Sequence, residues 1–222
     1  MLYIMGDLHG KFEQFSSRIY QANIQLSSND IIIVCGDFGF IYDDAVKRKQ
    51  GLEQLKALEC EVLFVCGNHE NFVEINKCEI VNRYGGPMHK ISNNIYHMIR
   101  GNIYTICGSS FFAFGGAYSN PNQQPKVWQS QEIPSREEIA YGKNSLLKRK
   151  KVVDYIVTHA APNEIIWELG IVPFYSNTCF TNFLSWILND IQFKHWFCGH
   201  YHIDKRMQKY NFSVLYDNIA KL

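Results

Sequence analysis

The chain has no excess of charge: 22 Lys and Arg stand against 21 Asp and Glu, a net +1 over 222 residues. A broad basic face for duplex nucleic acid is therefore not expected. No apolar run approaches the roughly 20 residues a membrane span needs. The longest, such as the one in Asp30–Cys35, reads as a buried strand. Met1–Asp7 has no basic stretch followed by an apolar one, so it does not read as a signal peptide. Seven cysteines without a CxxC pair form neither a disulfide framework nor a zinc ribbon. A reducing cytoplasm is the expected setting, with no membrane partner. What is present is 46% apolar residues, a globular composition that excludes global disorder. The length suits a single domain spanning 1–222.

Strand and helix signals alternate through the first third. Leu2–Met5, Asp30–Cys35 and Glu61–Cys66 read as strands, and Lys11–Ala22, Asp43–Leu58 and Asn71–Asn76 as helices. That order predicts a largely parallel sheet. Pro87–Ile91, Ile95–Ile99, Asn102–Ile106 and Ser110–Phe114 are short runs between turn residues and predict mostly antiparallel strands. Gly115–Pro134 reads as a long loop, a length often tied to function. Its Tyr118 and Trp128 suit a lid or base-stacking wall, or for Trp128 a loop anchor. Ser135–Glu138 has a capping-box pattern, and the helix it opens ends in the basic run Lys148–Lys151, as the macrodipole favours. Lys151–Thr158, Phe193–Cys198, His202–Gln208 and Phe212–Tyr216 read as strands, and Thr178–Asp190 as a helix.

Four apolar runs end in Gly followed by a side chain able to bind a metal: Gly6-Asp7, Gly36-Asp37, Gly67-Asn68 and Gly199-His200. His159 ends a fifth run without the glycine. Ligands of open α/β sheets gather beyond the carboxyl ends of strands, so these five strand ends are expected to meet. His9 and His202 lie two residues beyond Asp7 and His200, on the same side if the segments are extended. Glycine before each ligand permits a sharp turn and a close approach. Mixed oxygen and nitrogen donors suit manganese, iron or zinc. Cys35, Cys66 and Cys198 read as small buried residues beneath the site, and His89, His97 and His195 as structural or surface residues.

Asp7-x-His9, Gly36-Asp37, Gly67-Asn68-His69-Glu70, His159 and Gly199-His200-x-His202 together resemble the calcineurin-like metallophosphoesterase superfamily, in its order and over nearly the whole chain. The resemblance implies a four-layer α/β/β/α sandwich of two mixed β-sheets flanked by helices. It implies two metal ions: Asp7, His9 and His202 on the first, Asn68, His159 and His200 on the second, Asp37 between them. Hydrolysis would proceed by metal-activated hydroxide, with His69 as general acid to the leaving oxygen. The expected substrate is a small phosphate ester, a phosphodiester or nucleotide before a phosphomonoester or phosphoprotein. A non-catalytic metal-stabilised module of the same fold is the rival reading, against which His69 stands.

The phosphoprotein phosphatases follow Gly-Asp with an acidic residue and Arg, and place Arg before Gly-Asn-His. Phe38-Gly39-Phe40 and Cys66 stand there instead. With those phosphate clamps missing, protein phosphatase activity is not expected. Asp43, Asp44 and Glu70 are candidates to orient His69 in place of the acid that Phe40 replaces. Arg83, Arg100 and Lys126 are candidates for phosphate contact, each with a solvated surface role as its alternative.

Overall fold

Both faces of the first strands are apolar, which buries them on both sides. The computed structural model describes residues 1–41, 46–119, 130–172 and 178–222. Its first half alternates β1 (Leu2–Met5), α1 (Phe12–Gln21), β2 (Ile31–Val34), α2 (Val46–Lys56), β3 (Glu61–Phe64) and α3 (Phe72–Lys77). Then come β4 (Ile80–Arg83), β5 (Gly86–Lys90), β6 (Ile95–Met98), β7 (Asn102–Ile106) and β8 (Ser109–Phe114). Next are α4 (Arg136–Lys148), β9 (Tyr155–Thr158), α5 (Asn163–Glu168), α6 (Cys179–Asp190) and β10 (His195–Cys198). The chain closes with β11 (Lys205–Met207), β12 (Phe212–Val214) and β13 (Ile219–Lys221).

Among the described residues these strands form two mixed sheets. One is ordered β13-β1-β2-β3-β6-β5-β4 and the other β11-β12-β10-β9-β8-β7. Each has a parallel centre and antiparallel margins. Strand alternation divides the core. Leu2, Ile4, Ile31, Ile33 and Leu63 meet Phe111, Ala113, Val157 and Phe197 between the sheets. Tyr3, Met5, Ile32 and Val34 face outward onto Phe15, Leu55 and Ile75 of α1, α2 and α3. Phe112, Phe114, Ile156 and Trp196 face the other way onto Leu146, Ile165, Phe180 and Ile187 of α4, α5 and α6. Helix, sheet, sheet and helix make the four layers. Ser135 and Glu138 close the capping box of α4 as the sequence indicates.

Several elements depart from the sequence expectation. β4, β13 and α5 carry too few residues for their periodicity to register. The strand expected over Lys151–Thr158 begins at Tyr155, because Lys150 and Lys151 adopt left-handed backbone. The one expected over His202–Gln208 covers only Lys205–Met207, and His202 sits in a turn. The helix expected from Asp43 is described from Val46, and Asp43 and Asp44 lie outside the described residues.

Candidate metal centre

The loops after β1, β2, β3, β9 and β10 meet at one edge of the sandwich, and the glycines there make room. A Cβ at Gly67 would strike the Asp37 carboxylate, and one at Gly199 the Asp7 carboxylate. Gly36, against the His159 ring (φ +89°), and Gly39, against the backbone of His9 and Gly10 (φ +69°), combine a lack of space with a left-handed backbone. Four of the expected ligands are left-handed as well: His9 (φ 49°), Asp37 (46°), His200 (73°) and His202 (51°). A non-glycine residue bears a cost of roughly 1–2 kcal/mol there. Such strain collects at functional sites. The His200–His202 segment is therefore not extended as the spacing suggested, and its two rings part company. The His202 ring lies against Asp7 and His9, and the His200 ring lies edge-on to His159 with centroids 4.9 Å apart.

Two overlapping donor groups result. Asp7, His9 and His202 bring ligand atoms within 4.8 Å of one another, and so do Asp7, Asp37 and His159. His9 Nε2 is 2.9 Å from His202 Nε2, and His202 Nε2 is 3.2 Å from Asp7 Oδ2. Asp37 reaches both groups: its Oδ2 is 3.7 Å from His9 Nδ1, and its Oδ1 is 3.4 Å from His159 Nε2. Asn68 Oδ1 lies 3.1 Å from His159 Nε2. The His159 Nδ1–H is 2.7 Å from the Cys35 carbonyl, which it faces as a donor, so Nε2 is left to face the site. The backbone N–H of His200 donates to both Asp7 oxygens, and that of His69 to Asp37 Oδ1. His202, the most open of these side chains, stacks on Tyr216 at 4.7 Å, and Arg18 lies over that same ring.

Burial alone would lower the His159 pKa, but Asp37 and Asp7 outweigh it and raise the pKa to about 9. Burial likewise works against the Asp37 carboxylate, yet His159, His69 and His9 hold it well below the usual range. Two carboxylates so deeply buried call for positive charge beside them. A divalent cation would supply it, and the donor set of carboxylate, amide oxygen and imidazole matches a borderline metal. The residues present therefore fit a metal centre.

A family model for calcineurin-like phosphoesterases matches residues 2–204. The chain belongs to that family. A curated relative, the symmetrical bis(5′-nucleosyl)-tetraphosphatase of Wigglesworthia glossinidia brevipalpis, is 37% identical over 68 residues, 31% of this chain and 24% of the relative. A solved Staphylococcus aureus structure assigned as a 5′-nucleotidase, in complex with alpha-ketoglutarate, aligns with a TM-score of 0.47 and 12% identity. That alignment covers 98% of this chain and 49% of the solved one. The chain thus spans about a quarter of the one and about half of the other.

Other residues of this calcineurin-like chain have plainer roles. Glu70 accepts hydrogen bonds from the backbone of Phe38 (2.7 Å) and Gly39 (3.2 Å). It braces the Asp37 loop rather than the His69 ring. Burial and the nearby Asp37 push its pKa up to about 8. Arg83 pairs with Glu61 and stacks on Tyr84 and Tyr96, away from the donors. Arg100 is not a surface group: it is buried and holds Glu138 and the carbonyls of Gln131 and Glu132. Tyr118 packs on Phe180, and Lys126 and Trp128 lie outside the described residues. Cys35, Cys66 and Cys198 are buried beneath the site. His89 and His97 pair through their Nδ1 atoms at 2.9 Å, and His195 bonds Ser213. The sequence pattern did not single out the Cys35 carbonyl, Ser119 or Glu132. Backbone acceptors leave no sequence signal, and the other two stood unmarked in the 115–134 loop.

Proposed function

We propose that this chain hydrolyses a small phosphodiester or nucleotide at a two-metal centre. The observation that carries the proposal is the meeting of two donor groups, one buried and one opening to solvent at His202, linked by Asp7 and Asp37 at one edge of the sheets. In this reading Asp7, His9 and His202 hold one ion, Asn68, His159 and His200 the other, and Asp37 both. Manganese, iron or zinc bound there acidifies water and offsets charge on the phosphoryl group. The protein fixes its donors beforehand: backbone N–H groups aim Asp7 and Asp37, and the Cys35 carbonyl fixes the tautomer of His159. His69 stands beside the donors, its ring 5.5 Å from that of His9, and donates its proton to the departing oxygen. The tetraphosphatase relative supports a nucleotide substrate.

Hydrolysis of bis-p-nitrophenyl phosphate and p-nitrophenyl phosphate with added manganese tests this. We expect diester turnover that falls about 10²–10⁴-fold in H69N, with metal content and Tm retained, and that disappears with the metal in Asp37→Ala. Turnover of the monoester alone would move the assignment to a phosphatase. No turnover from metal-loaded protein would overturn catalysis.

A further inference from the structure

We infer that Glu132, acting through Ser119, sets which end of the Asn68 amide faces the metal centre, and is a positioning residue for that ligand. The inference rests on the two-metal reading. An asparagine can serve a cation only through Oδ1, because its amide nitrogen carries two hydrogens and offers no lone pair. The two ends of the amide are nearly equal in size, so packing does not choose between them. Hydrogen-bond polarity does.

The polarity originates at Glu132. Its buried carboxylate accepts from the Ser119 backbone N–H at 2.9 Å and from the Ser119 hydroxyl at 2.8 Å. A serine hydroxyl has one proton. With that proton committed to Glu132, Ser119 Oγ faces Asn68 with a lone pair only. The Asn68 amide must turn its NH2 toward Ser119, which it does at 3.2 Å, and Oδ1 is left beside His159 Nε2. Asn68, Ser119 and Glu132 are all buried, 8%, 4% and 2% exposed, so water does not compete for these positions. Glu132 is held from behind, where Arg100 binds the Gln131 and Glu132 carbonyls.

Glu132→Gln keeps the shape and removes the polarity. The amide NH2 of a glutamine donates to Ser119 Oγ, and the serine proton is released toward Asn68. Calorimetric titration of Mn²⁺ into the metal-stripped full chain reads the result. Wild type is expected to bind two equivalents. E132Q is expected to bind one as wild type does and the other about 10–100-fold more weakly, the usual loss when an outer partner of a ligand is removed. Asn68→Asp supplies an oxygen at either end and needs no orientation. E132Q should therefore change the affinity of N68D protein less than about twofold, a double-mutant cycle with a large coupling term. Unchanged affinity in E132Q, or an equal loss with and without N68D, overturns the inference. Wild type that binds fewer than two equivalents overturns the two-metal reading and the inference with it. Ser119→Ala removes the same acceptor while leaving Glu132 in place. It carries the same comparison, with a smaller expected loss because the polarity is removed and not reversed, if E132Q fails to fold.

Discussion

Gly67 has no room for a methyl group. Its Cβ position falls on the Asp37 carboxylate, which reaches both donor groups. Gly67→Ala should displace Asp37, weaken metal uptake about 10–100-fold and cost about 1–3 kcal/mol through overpacking. Gly85→Ala is the control. It has the same lack of a side chain and a left-handed φ of +80°, but nothing within 4 Å. It should lose stability from backbone strain and keep metal uptake unchanged. At this scale much was legible. In four of the five strand ends the glycine and its ligand are adjacent in sequence, and His9 and His202 follow two residues on, so the pattern shows. The left-handed backbone of His9, Asp37, His200 and His202 was not legible. It is imposed by what each residue must reach in another loop.

Among the elements, Asp154 ties together the starts of three neighbouring strands. Its carboxylate accepts from the backbone and hydroxyl of Ser110 in β8, just ahead of β9, and pairs with Lys194 at the entry to β10. Lys194 and the Ser110 donors bring its pKa from 3.8 down to about 2. The folded state therefore favours the ionised form. Its contribution is complete above pH 4 and fades as pH falls toward 2. Asp154→Asn should lower stability at pH 6 by about 1–2 kcal/mol, since charged hydrogen bonds to a partly open group are lost. Denaturant melts at pH 6 and pH 2.5 should show that gap narrowed to roughly a third at the lower value, because the folded-state group still titrates below it. The central strands could be read in advance because burial on both faces leaves an unbroken apolar run. The marginal strands β4 and β13 could not, because an edge strand of three or four residues with mixed exposure resembles a turn.

For the whole molecule, the four-layer arrangement followed from the resemblance and not from periodicity, which says which faces are apolar but not which faces meet. The structure supplies the meeting: Asp7, Asp37 and Asn68 follow strands of one sheet, and His159 and His200 follow strands of the other. Metal binding to the folded state alone should therefore stabilise the chain. Manganese at about 100 times its Kd adds about 2.7 kcal/mol per ion, or about 5–10 °C in Tm for a chain of this size. A chelator should reverse it, and a calorimeter would show no shift if the donors do not hold metal.

The two sheets are like the covers of a book, bound along their inner faces by hydrocarbon and, on the two-metal reading, latched along one margin by the ions. Removing the ions frees the latch and leaves the binding whole. In hydrogen exchange, chelation should quicken the amides around Asp7, Asp37, Asn68, His159 and His200 together, across both covers. The flank of the sandwich, where Tyr104 of β7 bonds the Pro87 carbonyl of β5, should keep its pace.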